Sequence, residues 1–523
     1  MERLIKTSKL LGLSAVGVIL LACSKTLLWE TNYSTASANI AIGAAVDPVG
    51  SVYIAGTSRA NPESSGFDYR GLLLKYSADG QLEWSKEYEE LTHLMTATPL
   101  GEGKLIVSGT QGGPSGTLSS GTFYLASAQD GSLIKELLSA PNHTKSSYSA
   151  EGQNQAYFVS QQTDDPNSGY QLLAYDTEGE LIHTSAISGT TYAIKNNPNG
   201  SIYLLNRNGW DSGLRLYALN SDFSIQWTSD ELHNLDCHSF STYESNDIAV
   251  DSNNDIIVKC DSAFSKLDAN GTQRFSASYA DLFDSNSSDS LYYFEHGPSQ
   301  ISFDDDNNLY ISTTRAVLFE GQIGNLIIAE SSYSLVKSDA LVIKYDGATG
   351  ERLWSDDVDA FLTATETGVT ADYYYPMHAS VTNGKLQVTV RGFRGHYIGR
   401  VAATSTSPAI CNNLVVEGVL PPHNECLLDS IADAYAKTLY YNLETGKRSS
   451  GSRYNEDYPS AAVLAPNNTL ILVGDDTWEG TTNWLEMGSQ ALSFLDQDED
   501  RWAESRDFSV DSPSHIYVQK HSL

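Results

Sequence analysis

Four cysteines and one run of alternating carboxylates are the residues of this 523-residue chain whose type and spacing point to chemistry. Cys411 and Cys426 bound the stretch CNNLVVEGVLPPHNEC, which a disulfide between them would staple, and Cys237 and Cys260 make a second candidate pair. An even number of remaining cysteines in an oxidising compartment is read as disulfides. HNLDCH offers a competing site, with His233, Cys237 and His238 as zinc ligands, because imidazole and thiolate are what zinc takes. Further on, DQDEDRWAESRD sets Asp496, Asp498 and Asp500 at alternate positions and Asp507 at the twelfth place of the same frame, the spacing of a calcium loop. Arg501 stands where such a loop has Gly, and Asp507 where it has Glu; a solvated acidic loop is the competing reading. The DDDNN run from Asp304 reads as a tight turn. Other His and acidic residues are scattered without the spacing of a triad or of paired carboxylates, so the sequence assigns no catalytic residue.

The formal net charge of the whole chain is −33. Nucleic acid and anionic membrane surfaces are poor partners for it, since binding to either depends on clustered Lys and Arg. The apolar fraction of 41% excludes general disorder, and the 30 tyrosines favour strands. At the N-terminus, MERLIKTSK carries Arg3, Lys6 and Lys9 against one acid, and the uncharged run LLGLSAVGVILLA follows. That order is a signal peptide over residues 1–22, with a core too short to span a membrane comfortably.

Beyond it the chain is an internal repeat. One half-repeat is strand, tight polar turn, strand: IAIGAAVDPVGSVYIAG, AIKNNPNGSIYLLN, DIAVDSNNDIIVKC and QISFDDDNNLYIST are four of eight copies. The other half has an aliphatic strand ending near Lys-Tyr, a turn with Asp, Asn or Gly, and a strand often carrying Trp, as in GLLLKYSADGQLEWSKEY and DALVIKYDGATGERLWSDD. It occurs seven times, alternating strictly with the first. The period is that of propeller blades with four antiparallel strands each, whose turns need the backbone freedom of Gly, Asn and Asp. The expected fold is all-β: one eight-bladed β-propeller over 23–523, with long insertions at 315–338, 392–436 and 475–514.

The eighth second half is split between the chain ends. HIYVQKHSL aligns with LLLKYSADG, placing Lys520 where Lys75 and Lys344 stand, and KTLLWETNYS aligns with GQLEWSKEYEE, placing Trp29 with Trp84 and Trp354. Pairing the terminal strands closes the ring and leaves no open edge. The rival places Trp502 of ALSFLDQDEDRWAESRD in the eighth copy and leaves both terminal strands unexplained. Nearly all tight turns then fall on one rim. The long segments, 57–70, 231–245, 279–298, 315–338, 358–375, 392–436 and 475–514, fall on the other, the candidate binding face.

DPVGSVYIAG with LLLKYSADGQLEW resembles bacterial propeller-repeat families, and LVIKYDGATGERLW in particular resembles the repeat of pyrroloquinoline-quinone-type propellers. The resemblance implies that Trp29, Trp84, Trp227 and Trp354 dock neighbouring blades. Leu20-Leu21-Ala22-Cys23 is similar to the lipobox of bacterial lipoproteins, which implies acylation of Cys23 and, with Ser24 following, an outer-membrane anchor. A lipid-anchored eight-bladed propeller also resembles the lipoprotein of the β-barrel assembly machine, which binds other proteins. Quinoprotein dehydrogenases of this type hold a calcium-bound quinone, many with a disulfide of adjacent cysteines; this sequence has no adjacent pair. The resulting expectation is a monomeric, non-catalytic scaffold in the cell envelope, joined to the membrane through its lipid alone. It would bind a protein or a glycan and no nucleic acid, with calcium as the one candidate cofactor. The alternative is an envelope enzyme, either a degenerate quinoprotein or a polysaccharide hydrolase or lyase.

Overall fold

Most tight turns open with a side chain that closes them. Asp47 Oδ1 accepts the backbone N–H of Val49 and of Ser51, at 3.1 and 2.8 Å. Asp251 does the same for Asn253 and Asp255, and Asp304 for Asp306 and Asn308. Each is an Asx turn, a use of Asp that needs no ligand. The residue that must turn left-handed is then Gly50, Asn254 or Asn307, all at positive φ. These turns convert the apolar runs on either side into hairpins.

A computed structural model gives the fold. It describes residues between 27 and 522, apart from short connections and the longer stretches 60–68, 162–169, 236–246, 283–290, 400–408, 412–425 and 476–514. Six four-stranded sheets and one larger sheet that combines two further blades make a ring of eight. From the axis outward, blade one is Ala38–Val46, Val52–Arg59, Tyr69–Tyr76 and Leu82–Tyr88, and all its pairings are antiparallel. Blades two to five repeat this over His93–Ala140, Lys145–Ile187, Thr190–Thr228 and Asp247–Ser278. Blade six begins with Leu291–Phe303 and ends with Arg352–Val358; blade seven begins with Val369–Thr382 and ends with Arg448–Tyr454.

Blade eight is assembled from both ends of the chain. Tyr458–Ala465, Thr469–Asp475 and His515–Ser522 are followed outward by Leu27–Ser34. Trp29 lies directly opposite Lys520, as Trp84 lies opposite Lys75 and Trp354 opposite Lys344. The register expected from the repeat alignment is the register found.

Both faces of each blade are covered by neighbours, which is why the middle strands read as continuous apolar runs rather than alternating ones. Every residue of Ile256–Cys260 and of Thr469–Asp475 is buried. The core is a series of layers between blades: Ile471, Val473, Ile516 and Val518 of blade eight meet Val52, Ile54, Leu72 and Leu74 of blade one. Around the axis the first strands carry a register irregularity at matching places, between Ala41 and Gly43, Leu94 and Thr96, Thr191 and Ala193, Pro376 and His378, and Pro459 and Ala461. A bulge adds twist where the strands crowd together.

Candidate functional site

The two rims differ as the turn chemistry dictates. On one, the closed Asx-type turns leave little backbone to elaborate. On the other, blades six and seven depart from the pattern. Strands elsewhere in the ring run from 4 to 10 residues. In blade six the first three are 13, 11 and 12 residues long, and in blade seven 14, 15 and 17. Lys385–Gly399 exceeds the eight-residue Val52–Arg59 by seven residues, roughly 23 Å of further rise at about 3.3 Å per residue. Much of 315–338 and 392–436, expected as loop, is thus strand that continues past the ring. The reason is local: TTRAVLF and RGFRGHYIG contain no turn-forming dipeptide to stop a pairing already under way.

The extensions join the two blades. Ser338 of blade six pairs in parallel with Tyr373 of blade seven. A small separate sheet is formed by Gly321–Ile323 and Leu326–Ile328, inserted in blade six, with Ala409–Cys411, inserted in blade seven. The second and third strands of blade seven remain paired out to Gly399 opposite Cys426. On this arm Tyr374, Gly392 and Tyr435 are cross-strand neighbours. A Cβ on Gly392 would stand 2.8 Å from the Tyr435 ring and 3.1 Å from that of Tyr374, so only glycine lets both rings lie across it. The Tyr435 hydroxyl donates to that of Tyr374 at 3.2 Å, and the Arg453 guanidinium lies over the Tyr435 ring at 4.1 Å. Arg391 is over Tyr375 at 5.2 Å. The result is a half-buried aromatic surface crossed by two cations, in a chain where acids outnumber bases 65 to 32. The sequence carried one signal of it, the YYY run at 373–375.

Trp29, Trp84, Trp227 and Trp354 each rest on the glycine of the next blade's outer turn, Gly80, Gly131, Gly271 and Gly446, all at positive φ. The indole N–H of Trp29, Trp84 and Trp354 donates to a carbonyl of that turn: Ala78, Ala128 and Leu443 at 3.0, 3.3 and 3.2 Å. Phe275 fills the place in blade five against Gly350. Between blades three and four the sizes are exchanged. His183 takes the strand position and Phe223, at φ 67°, takes the turn position, and the rings stack at 3.9 Å and 10°.

Blade seven has Ser449 opposite Tyr440 at this position. In its neighbour, blade eight, the two outer strands His515–Ser522 and Leu27–Ser34 come from opposite ends of the chain. That seam is held instead by Tyr454, whose ring lies 4.4 Å from that of His521.

Of the remaining candidates, Cys260 is fully buried and disulfide-bonded. Its expected partner Cys237 lies outside the described residues, as do Cys23, His233, His238, Asp496, Asp498, Asp500, Trp502 and Asp507. Cys411 and Cys426 are placed only by backbone, opposite Ile328 and Gly399. Among the described residues no three His, Cys, Asp or Glu side chains converge as a metal site.

The ionisable groups show what the described chemistry can do. The carboxylates with resolved shifts, Asp130, Asp222, Asp281, Asp304 and Asp346, all lie below the usual range. Hydrogen bonds from Ser132 lower Asp130, and Arg352, bidentate at 2.9 and 2.7 Å, lowers Asp281. Burial would raise Asp304, but hydrogen bonds from Asn308 and Tyr310 outweigh it. A general acid needs the opposite, a carboxyl held protonated. Burial pushes the Tyr157 hydroxyl up to about 12 and the His378 imidazole below its ordinary value. Lys266, buried with Asp251 at 2.8 Å and Asp255 at 3.4 Å, also donates to Gly347 O. It therefore ties blade five to blade six.

No family model matches the chain, and no curated protein matches it. Solved structures that resemble it include quinohaemoprotein alcohol dehydrogenases. That from Pseudomonas putida HK5 has a TM-score of 0.47 and 11% identity, over 95% of this chain and 76% of that one. That from Comamonas testosteroni has a TM-score of 0.44 and 11% identity over the same shares. The β-propeller domain of the Trilobed protease from Pyrococcus furiosus, described as having an open velcro topology, has a TM-score of 0.34 and 8% identity, over 74% and 90%. Likeness at these identities concerns the fold alone.

Proposed function

We propose that this chain is an envelope lipoprotein whose propeller is a non-catalytic binding scaffold, anchored through Cys23. In this reading the loop rim over blades six and seven meets a protein or glycan partner. The observation that carries it is the joined extension of those two blades: a rigid arm bearing Tyr374, Tyr435, Arg391 and Arg453, on one side of an otherwise regular ring. Tyr and Arg are the residues that binding surfaces favour, and a site on paired strands is held more firmly than one on loops.

The test is partner recovery from envelope extract by the mature protein and by the variant Arg391→Ala, Tyr435→Ala, Arg453→Ala, whose substituted side chains are half-buried or exposed. Loss of the partner from the variant is expected; equal recovery by both would overturn the role of the arm.

A further inference from the structure

A contiguous apolar patch left exposed on a folded domain marks a surface that something covers, whereas singly exposed side chains need no explanation. Among the described residues ten large apolar side chains stand exposed. Leu27 and Leu28 begin the outer strand of blade eight, and Leu82 begins that of blade one, immediately after its outer turn. Val49, 78% exposed, is in the first turn of blade one, and Leu464 is at the turn end of the first strand of blade eight. The other five take the place of Leu82 or Leu28 in blades two, three, four and six. Half of the set thus belongs to blades eight and one.

These residues surround one seam. Trp29, next to Leu28, packs on Gly80, and a Cβ at Gly50 would meet Ala78 at 3.2 Å, so the turn holding Val49 abuts the turn that Trp29 caps. The chain also leaves the described structure here. Leu27 lies four positions after Cys23, a reach of at most about 14 Å. A strand of eight residues such as Val52–Arg59 rises about 26 Å. A lipid on Cys23 therefore reaches a membrane beside the turn rim and not one beside the loop rim.

We propose that the turn rim at the junction of blades eight and one rests on a zwitterionic lipid surface, with Leu27, Leu28, Val49 and Leu82 in contact with it. Asp47, Asp79, Glu30 and Glu83 flank the patch, which excludes an anionic one. This orientation rests on the anchor reading for its position, and it deepens the scaffold reading by turning the arm of blades six and seven away from the membrane.

The test supplies its own tether. A histidine tag replaces residues 1–22 and Cys23 is made Ser, and the chain is held on phosphatidylcholine vesicles containing a nickel-chelating lipid. Hydrogen exchange is compared with the untethered protein. Slower exchange over 47–51 and 77–81 is expected, with the blade-seven arm unchanged. The variant Leu27→Ser, Leu28→Ser, Val49→Ser, whose substitutions are all at exposed positions, should lose that protection while unfolding at the same temperature as its parent. Protection on the arm, protection that survives in the variant, or none at all would overturn the proposal. Whether Cys23 carries lipid is read separately, from the mass of the protein recovered from envelope membranes. An unmodified Cys23 would sink the anchor and leave the docking face to the vesicle result.

Discussion

Trp29 and Lys520, from opposite ends of the chain, sit directly opposite each other and donate to the same acceptor, the carbonyl of Ala78, at 3.0 and 3.1 Å. Trp354 and Lys344 do the same with the carbonyl of Leu443. The closing blade is thus docked on blade one by the same device that joins blade six to blade seven, although its two donors are held together only by strand pairing.

That arrangement makes the last strand structural. Deleting 515–523 should remove the partner of Leu27–Ser34, leave the edge of Thr469–Asp475 unpaired and lower the midpoint of thermal unfolding, read by circular dichroism. An unchanged midpoint would refute closure. The milder Lys520→Met removes one charge-assisted hydrogen bond and should cost about 1–2 kcal/mol.

The turn glycines divide into two kinds. Gly80 and Gly271 are at positive φ, and a Cβ on either would lie 2.5 or 2.4 Å from an indole. Gly103 and Gly384 are also at positive φ, but a Cβ there would meet nothing within 4 Å. Alanine at the second pair should cost only the left-handed conformation, about 1–2 kcal/mol. Alanine at the first pair should cost that and the displacement of a Trp, so it should be the more destabilising in urea titrations. Equal losses at all four would show that the indoles are not close-packed on the turns.

The exchange at blades three and four is testable as a cycle. His183→Trp alone should clash with the Phe223 ring, and Phe223→Gly alone should relieve a strained φ while losing the stack. Together they rebuild the module of the other seams, so the double variant should be more stable than the two single effects sum to. Simple additivity would mean that these rings do not interact.

Acid should act first through histidine. Burial holds His378 and His183 below the ordinary value of 6.5, so the unfolded chain binds protons at a pH where the folded one does not. Stability should therefore be level above about pH 6.5 and fall below it. His378, the more deeply buried, should contribute at most about 1.4 kcal/mol per pH unit through that window. Replacing it with Gln should flatten this limb. The lowered carboxylates Asp281, Asp304 and Asp346 act in a separate window, with their stabilisation lost as pH drops below about 4. An acid limb unaltered by His378→Gln would exclude this histidine as its source.

Blade number, the strand register at Trp29 and Lys520, and the division of the rims were legible because each repeat supplies a template for the others. A Lys before a turn and a Trp after it mark the same pairing wherever they recur. What departs from the template was not legible. Phe223 occupies a glycine position in a sequence, NSDFSIQW, that still reads as an ordinary turn. The long strands of blades six and seven match no other copy, and pairing between Leu326–Ile328 and Ala409–Cys411 joins segments with no shared pattern. Contacts between insertions depend on where the scaffold carries them, which no local propensity encodes.

Closure from both ends also orders events in time. Leu27–Ser34 is among the first of the ring to be synthesised, and its partner His515–Ser522 among the last. At about 5–20 residues per second, the intervening chain takes on the order of half a minute or longer to appear. Throughout that interval the first strand has no neighbour on its inner side. Any helper that acts on this protein while it is being made must keep that one strand from pairing elsewhere until the final residues arrive.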